Sequence, residues 1–490
     1  RRIKGEIGST DCIDMLTKVR NNKIISKIDG FFQGRLYPVV VALVVFAVHC
    51  LGLDSVGFLL LSAAMAFINV CCGNTRPMVA TALFIVMCVS MQNSPGYGFG
   101  GESDYYGRTS TIVVIAVCAA MILISSFFRI AADGKIKELF RRKSLSVGIL
   151  AFVVACALGG IFTKYYRIDN LVMALTMFGG LLFAYAYWSV TVEKRDDNFL
   201  YISRVCVLVA LEVVAQIGFL YLKKFDFGDP LNDAWKGNII VGWGVSNSVG
   251  ELVAFMLPFS FYIMYKEERG FWYFFVVVVS MVGIYFTLSR CALLFSVPIA
   301  IAGSIVNCVA GKNKKQNRVM VLISLLVLFV IIVVLAKTGA AQKLLRFFLD
   351  AKFKDRGRFA IWDEMFGYFK EYPVFGSGFS AYMIAHGKIS PFHGMAHNTL
   401  VQVVSSTGAV GSLAYAYHRF ETVKLFVKNP SVDKCFMAAA ILCFLCMSLF
   451  DSIFFYANFT VFYTAILTIV EKENPSSDES TQAGEVKANE

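Results

Sequence analysis

Residues 319–337 read VMVLISLLVLFVIIVVLAK, nineteen residues whose only charge is the terminal Lys337. A helix that crosses the hydrocarbon core of a bilayer needs about 20 apolar residues. This run meets that length with nothing polar beyond one Ser. Before it stands KNKKQNR (312–318), with four basic residues, and after it come nearly sixty residues with no comparable run. A basic flank on one side and a long loop on the other fix the class of fold: a membrane-spanning helix between two different compartments.

The same signal repeats along the chain. Of the 490 residues, 57% are hydrophobic and 16% charged, against roughly 25% charged in soluble domains. Spans are read at 38–52, 55–72, 77–92, 110–131, 145–163, 170–190, 201–222, 249–265, 271–288, 291–309, 319–337, 396–417, 433–450 and 453–470. That makes an all-α polytopic bundle of twelve to fourteen spans. The expected divisions are a basic N-terminal segment (1–37), a bundle of about eleven spans (38–337), a large loop (338–395), the C-terminal spans (396–470) and a disordered tail (471–490).

Charge sets the orientation. With the N-terminus in the cytoplasm, 30 of the 46 basic residues fall inside and nine of the other 16 fall in the 337–395 loop. Long loops cross regardless of charge, so the positive-inside rule holds. Both termini are expected in the cytoplasm and the long loop outside. No cleavable signal peptide is expected ahead of the first span. The net charge of +12 therefore belongs to topology and not to nucleic-acid binding. Most of the thirteen Cys lie inside apolar runs and read as small hydrophobes, the Cys443-x-x-Cys446 pair included.

The long loop is expected to be partly helical. Gln342–Phe353 alternates apolar and basic residues at helical spacing, and Arg358–Tyr372 is a second helix stopped by Pro373. The turn Phe375-Gly376-Ser377-Gly378-Phe379 follows. The whole reads as a lid folded against the membrane surface.

Several residues could carry chemistry. Arg290, in Thr287-Leu288-Ser289-Arg290, sits at a tight hairpin between two apolar runs; it either snorkels to the interface or waits for a phosphate. Arg356 and Arg358 flank Gly357 at a helix start, a position suited to an anion. His397, with Asn398 beside it, opens a span and could act as a general base or serve a structural end. Gln402 lies one turn deeper on the same face. Gly408 and Gly411 allow close helix contact. Glu212 and Glu251 are intramembrane acids, and Asn247 and Ser248 near Glu251 suggest a polar patch or an ion site. Asp451, in the last outer turn, could orient a base or a sugar. No Gly-rich nucleotide loop, no H-E-x-x-H and no outer D-x-D pair is present, which speaks against nucleotide-driven and metal-centred chemistry.

In order, Leu288-Ser289-Arg290, Gly357-Arg358 with Ile361-Trp362, Pro373-Val374-Phe375-Gly376-Ser377-Gly378, Ala396-His397-Asn398 with Gln402, and Thr407-Gly408-Ala409-Val410-Gly411 resemble the O-antigen ligase and O-antigen polymerase family of bacterial surface-polysaccharide assembly. The resemblance spans about 285–415. The family usually has nearer twelve spans. It implies a C-type membrane glycosyltransferase in the plasma (inner) membrane of the cell envelope, with an extracytoplasmic site. The implied reaction moves a glycan from undecaprenyl diphosphate to an acceptor hydroxyl, by inversion and without a metal or other cofactor. Carried onto this chain, Arg290 and Arg358 would meet the diphosphate and His397 would take the acceptor proton. Arg356, Asn398, Gln402, Glu251 and Asp451 would bind or orient substrate. The implied partners are the lipid-linked donor, a glycan or lipid-linked acceptor and the bilayer itself, with no nucleic acid. The competing reading is a multi-span transporter or a flippase of lipid-linked sugars, which would account for Glu212 and Glu251.

Overall fold

The computed structural model describes residues 20, 22–90, 92, 108–224, 239–337, 357–386 and 395–473. Among them, β structure is limited to one isolated bridge between Ile240 and Val245. The helices are α1 (Lys23–Gln33), α2 (Leu36–Leu51), α3 (Asp54–Cys71), α4 (Arg76–Phe84, continued by a 3-10 turn), α5 (Thr109–Ala132), α6 (Ile136–Leu139) and α7 (Ser146–Leu158). Next, α8 (Ile168–Met173) passes through a π-helical turn into α9 (Gly180–Thr191), followed by α10 (Asn198–Lys224), α11 (Ser246–Lys266), α12 (Tyr273–Phe286), α13 (Arg290–Ala310) and α14 (Lys314–Lys337). The C-terminal part holds α15 (Arg358–Glu371), α16 (Ala381–Ala385), α17 (Thr399–Val427), α18 (Val432–Met447) and α19 (Ala457–Lys472).

The protein is an all-α polytopic membrane bundle. The stretch 319–337 lies within one helix, α14. By length and composition six helices of the described residues can cross a membrane, or seven if the α1–α2 pair, bent by 74°, counts as one. Other apolar runs fold into shorter helices, among them Arg76–Cys88, Ser146–Leu158 and Gly270–Phe286. An apolar run reports burial in lipid or protein, and it takes about 20 residues of helix to cross a bilayer alone. The tail beyond 473, Arg356 and the helix expected over Gln342–Phe353 lie outside the described residues.

Helix α11 is the hub. Its span window is 94% buried, against 17% for that of α13 and 22% for α5. It packs against α10, α12, α13 and α18. A helix apolar all round is enclosed by protein, while α5 and α13 turn large side chains such as Ile124 and Leu294 outward, as helices facing lipid do.

One helix is broken, and the break shapes the site. In α17, Gly408 has φ 63° and ψ −156°, which interrupts the helical ladder. A carbonyl or amide freed inside a bilayer costs several kcal/mol unless it finds a partner. The partner is the turn after α15. Ser377 N and Gly378 N donate to the Ser405 and Ser406 carbonyls at 2.9 and 3.0 Å, while Ala409 N and Val410 N donate to the Pro373 and Val374 carbonyls at 2.8 and 3.1 Å. The contact leaves no room for a side chain: a Cβ on Gly408 would stand 2.5 Å from the Gly376 nitrogen and the Val374 carbonyl oxygen. The glycine read as a helix-contact residue is thus the break itself. Within this turn Gly376, Ser377 and Gly378 are buried against the break, while Pro373 and Val374 stay exposed. Helix α7 runs along the second arm of α17, from Gly148, whose amide donates to Glu421 at 2.9 Å, to Gly159 beside Ser406.

Candidate active site

The site forms where α17 begins. Asn398 caps that helix, its side-chain oxygen accepting from Leu400 N at 2.9 Å and Val401 N at 3.2 Å. Its Nδ2 donates to the Leu449 carbonyl at 2.9 Å, and its own amide donates to Ser452 Oγ at 3.2 Å. Thr399 N reaches the Ser448 carbonyl at 2.8 Å. The start of α17 is therefore stitched to the turn 448–452 that links α18 to the C-terminal segment. Gln402 is buried; its Oε1 accepts from Ala396 N and its Nε2 donates to Ser406 Oγ, both at 2.8 Å. It fastens the turn from within.

Between those fastenings stands His397, with φ 50°. A left-handed backbone costs an L-residue about 1–2 kcal/mol, and such strain concentrates at functional sites. Its Nδ1 lies 3.2 Å from Asp451 Oδ1. The imidazole is 43% exposed and the carboxylate 5%, so the ring faces outward and its partner is enclosed. Asp451 Oδ1 also accepts from Ser452 N at 2.7 Å and from the Tyr456 hydroxyl at 3.3 Å. Burial alone would push the Asp451 carboxyl up. The His397 contact, the Ser452 amide and the Arg358 charge outweigh it and hold the group below the ordinary carboxyl range. Asp451 is thus an acceptor only, so the Nδ1 facing it carries a proton, and in the neutral ring the lone pair is on Nε2.

One arginine reaches the same turn, and the helix that a second one opens packs against it. Arg358 opens α15 and its Nη1 donates to the Phe450 carbonyl at 2.8 Å. Trp362, one turn along, donates from Nε1 to the Ala396 carbonyl at 2.6 Å, which joins α15 to the residue before His397. Arg290 opens α13, capped by Ser289, whose Oγ accepts from Ala292 N at 3.3 Å. The residue before that cap, Leu288, has φ 54°. Helix α13 meets the turn through Phe295, whose ring centroid lies 5.8 Å from that of Phe450.

Glu251 is buried near the start of α11, where Gly250 touches Ser289 and Ala292 and Cys291 hydrogen-bonds to the Glu251 carboxyl. It backs the Arg290 turn. Glu212 belongs to another network, with Gln216 Nε2 donating to Glu212 and to the Met87 carbonyl, and Trp243 to Gln216 Oε1. Ser248 closes a local turn on Val245. Among the described residues no group of three His, Cys, Asp or Glu could hold a metal ion. Tyr456 and Ser452 were not singled out from sequence. Tyr456 lies in a run read as a plain span and Ser452 in the short turn before it, and no spacing rule links them to His397.

The arrangement pairs a solvent-facing imidazole with a buried carboxylate and brings the Arg358 guanidinium to the turn that carries the carboxylate. It can accept a proton beside an anion. Residues 274–416 match the family model described as O-antigen ligase. No curated protein matches the chain. The matched segment contains Arg290, Arg358, His397 and Gln402; Asp451 and Glu251 lie outside it. The match over residues 274–416 supports an O-antigen ligase/polymerase assignment for that segment and, with the apolar helices, a multi-pass membrane protein of glycan assembly.

Proposed function

We propose that the protein is a glycosyltransferase that moves a glycan from undecaprenyl diphosphate to an acceptor hydroxyl at the extracytoplasmic face, as an O-antigen ligase or polymerase. The observation that carries this reading is the His397–Asp451 pair, set in a turn whose Phe450 carbonyl is held by Arg358.

In this mechanism the acceptor hydroxyl gives its proton to His397 Nε2 as its oxygen attacks the anomeric carbon. Asp451 fixes the imidazole and balances the charge it gains. The bond between the anomeric carbon and the phosphate oxygen breaks on the opposite side, which inverts the anomeric centre. The leaving diphosphate takes the electron pair, and Arg290 and Arg358 meet its charge with forked N–H donors. His397 then passes its proton to solvent or to the released diphosphate. Asn398 and Gln402 keep the turn in shape, and Glu251 supports the Arg290 helix start.

The test is transfer in proteoliposomes with a lipid-linked donor. General-base catalysis contributes about 10²–10⁴-fold, so His397→Ala should lose activity on that scale, and Arg290→Ala should fall with it. Undiminished transfer by both folded variants would sink the assignment.

A further inference from the structure

Half a turn beyond Trp362, α15 carries an ionisable pair that the mechanism above does not use. Both oxygens of Glu364 face His386 Nε2, at 3.0 and 2.9 Å, and Oε1 accepts from the Tyr368 hydroxyl at 2.6 Å. His386 follows α16, and its ring lies against Tyr382, tilted by 36° with centroids 4.3 Å apart. Tyr165, in the turn after α7, meets Tyr368 and Tyr372 edge-on at 5.6 and 6.4 Å. Glu364 and His386 are 34% and 42% exposed, and the four tyrosines are half-buried.

Stability does not account for this patch. An exposed ion pair contributes about 0–1 kcal/mol. Half-exposed tyrosines present an apolar face together with a polar edge. A carboxylate has about four lone-pair positions, and the three contacts on Glu364 leave room for another donor. Pyranose rings offer the matching chemistry, with C–H faces for the aromatic rings and hydroxyl donors for the carboxylate. Six residues of helix place Glu364 about 9 Å along the axis from Arg358. That is beside the proposed diphosphate position and not on it.

We infer that Glu364, His386 and the tyrosines Tyr165, Tyr368, Tyr372 and Tyr382 form a subsite for neutral sugar residues of the glycan. The subsite holds the chain along α15 while its diphosphate end meets Arg358. Uncharged sugars fit because an acidic one would meet the Glu364 carboxylate. This inference rests on the transferase reading above.

The test uses the full-length protein in nanodiscs. The probe is the phosphate-free oligosaccharide that mild acid releases from the lipid-linked glycan of the source cells, and saturation-transfer NMR reads its binding. Glu364→Gln and Tyr372→Ala should each weaken binding about tenfold. In the transfer assay each should raise KM for the lipid-linked donor about tenfold with kcat within about twofold. Glu364→Gln is isosteric, so it carries the test if Tyr372→Ala fails to fold. Binding and KM unchanged in Glu364→Gln, or a loss confined to kcat, would overturn the subsite. Binding needs no transfer. A wild-type protein that binds the probe through Glu364 but transfers nothing keeps the subsite and removes the transferase reading. Intact transfer with binding indifferent to Glu364 does the reverse.

Discussion

Two turns in this molecule are built alike and fastened differently. Each has a non-glycine residue with positive φ, Leu288 in one and His397 in the other, and each is followed at once by a polar helix cap, Ser289 or Asn398. The Leu288 turn is closed mostly by near neighbours: Thr287 Oγ1 donates to the Ile284 carbonyl and Ser289 N to Thr287 Oγ1. The His397 turn is held across the chain, by Trp362 from one side and by residues 448–452 from the other. In the proposed mechanism the difference follows from what each turn presents. A guanidinium that meets a diffuse anionic charge needs an anchored helix start. A base must also have its tautomer and direction set, and that takes a second element to supply the carboxylate.

The comparison can be broken by experiment. The largest effect is expected from Asp451→Asn, which leaves the shape of the turn but reverses the hydrogen bond to the imidazole. A wrong tautomer in a comparable pair costs up to about 10⁴-fold, so a loss of about 10²–10⁴ in kcat is expected, with donor KM little changed. A drop below tenfold would show that Asp451 does not orient the base. Arg358→Lys should lose nearly as much transfer as Arg358→Ala, because an ammonium does not reproduce the fork; full rescue by Lys would reduce the residue to a point charge. Asn398→Ala removes a cap, a loss of about 1 kcal/mol, and also cuts the side-chain link to the Leu449 carbonyl. Its melting temperature should fall more than that of Ser289→Ala, whose cap is local. Equal shifts would erase the distinction between the turns.

The smallest effect concerns pH. The Asp451 carboxyl is held below its ordinary value of 3.8 in the folded chain, so its stabilising contribution is fully present above about pH 4 and is lost as the pH falls below that. The stability gap between wild type and Asp451→Asn should hold from pH 7 to about pH 5 and close in stronger acid. A gap that closes near pH 6 would contradict the ionised, hydrogen-bonded carboxylate.

Much of this was legible in the chain itself. Apolar runs such as 319–337 report the class of fold because lipid tolerates little else. Arg290, Arg358 and His397 stand out because charged and titratable groups beside apolar runs need a reason to be there. The span count was less legible, since an apolar run reads the same whether it makes a full crossing or a short enclosed helix such as Ser146–Leu158. Gly408 and Gly411 fit close helix contact by spacing, and nothing local distinguishes that use from a break. Asp451 was offered as an orienter of a base or a sugar. Its placement 54 residues from His397, beside Tyr456 and Ser452, depends on tertiary contacts that no periodicity encodes.

The break at Gly408 has a consequence for how the protein is made. A membrane helix normally enters the bilayer as a finished unit, with its backbone satisfied from within. Helix α17 is not such a unit, because two of its carbonyls and two of its amides find partners only in residues 373–378. Those residues precede it in the chain and reach it across the segment that carries His397. The C-terminal span therefore completes its bonding only after the upstream turn has docked, and a chain that stalls or is cut before docking holds a helix with an open seam.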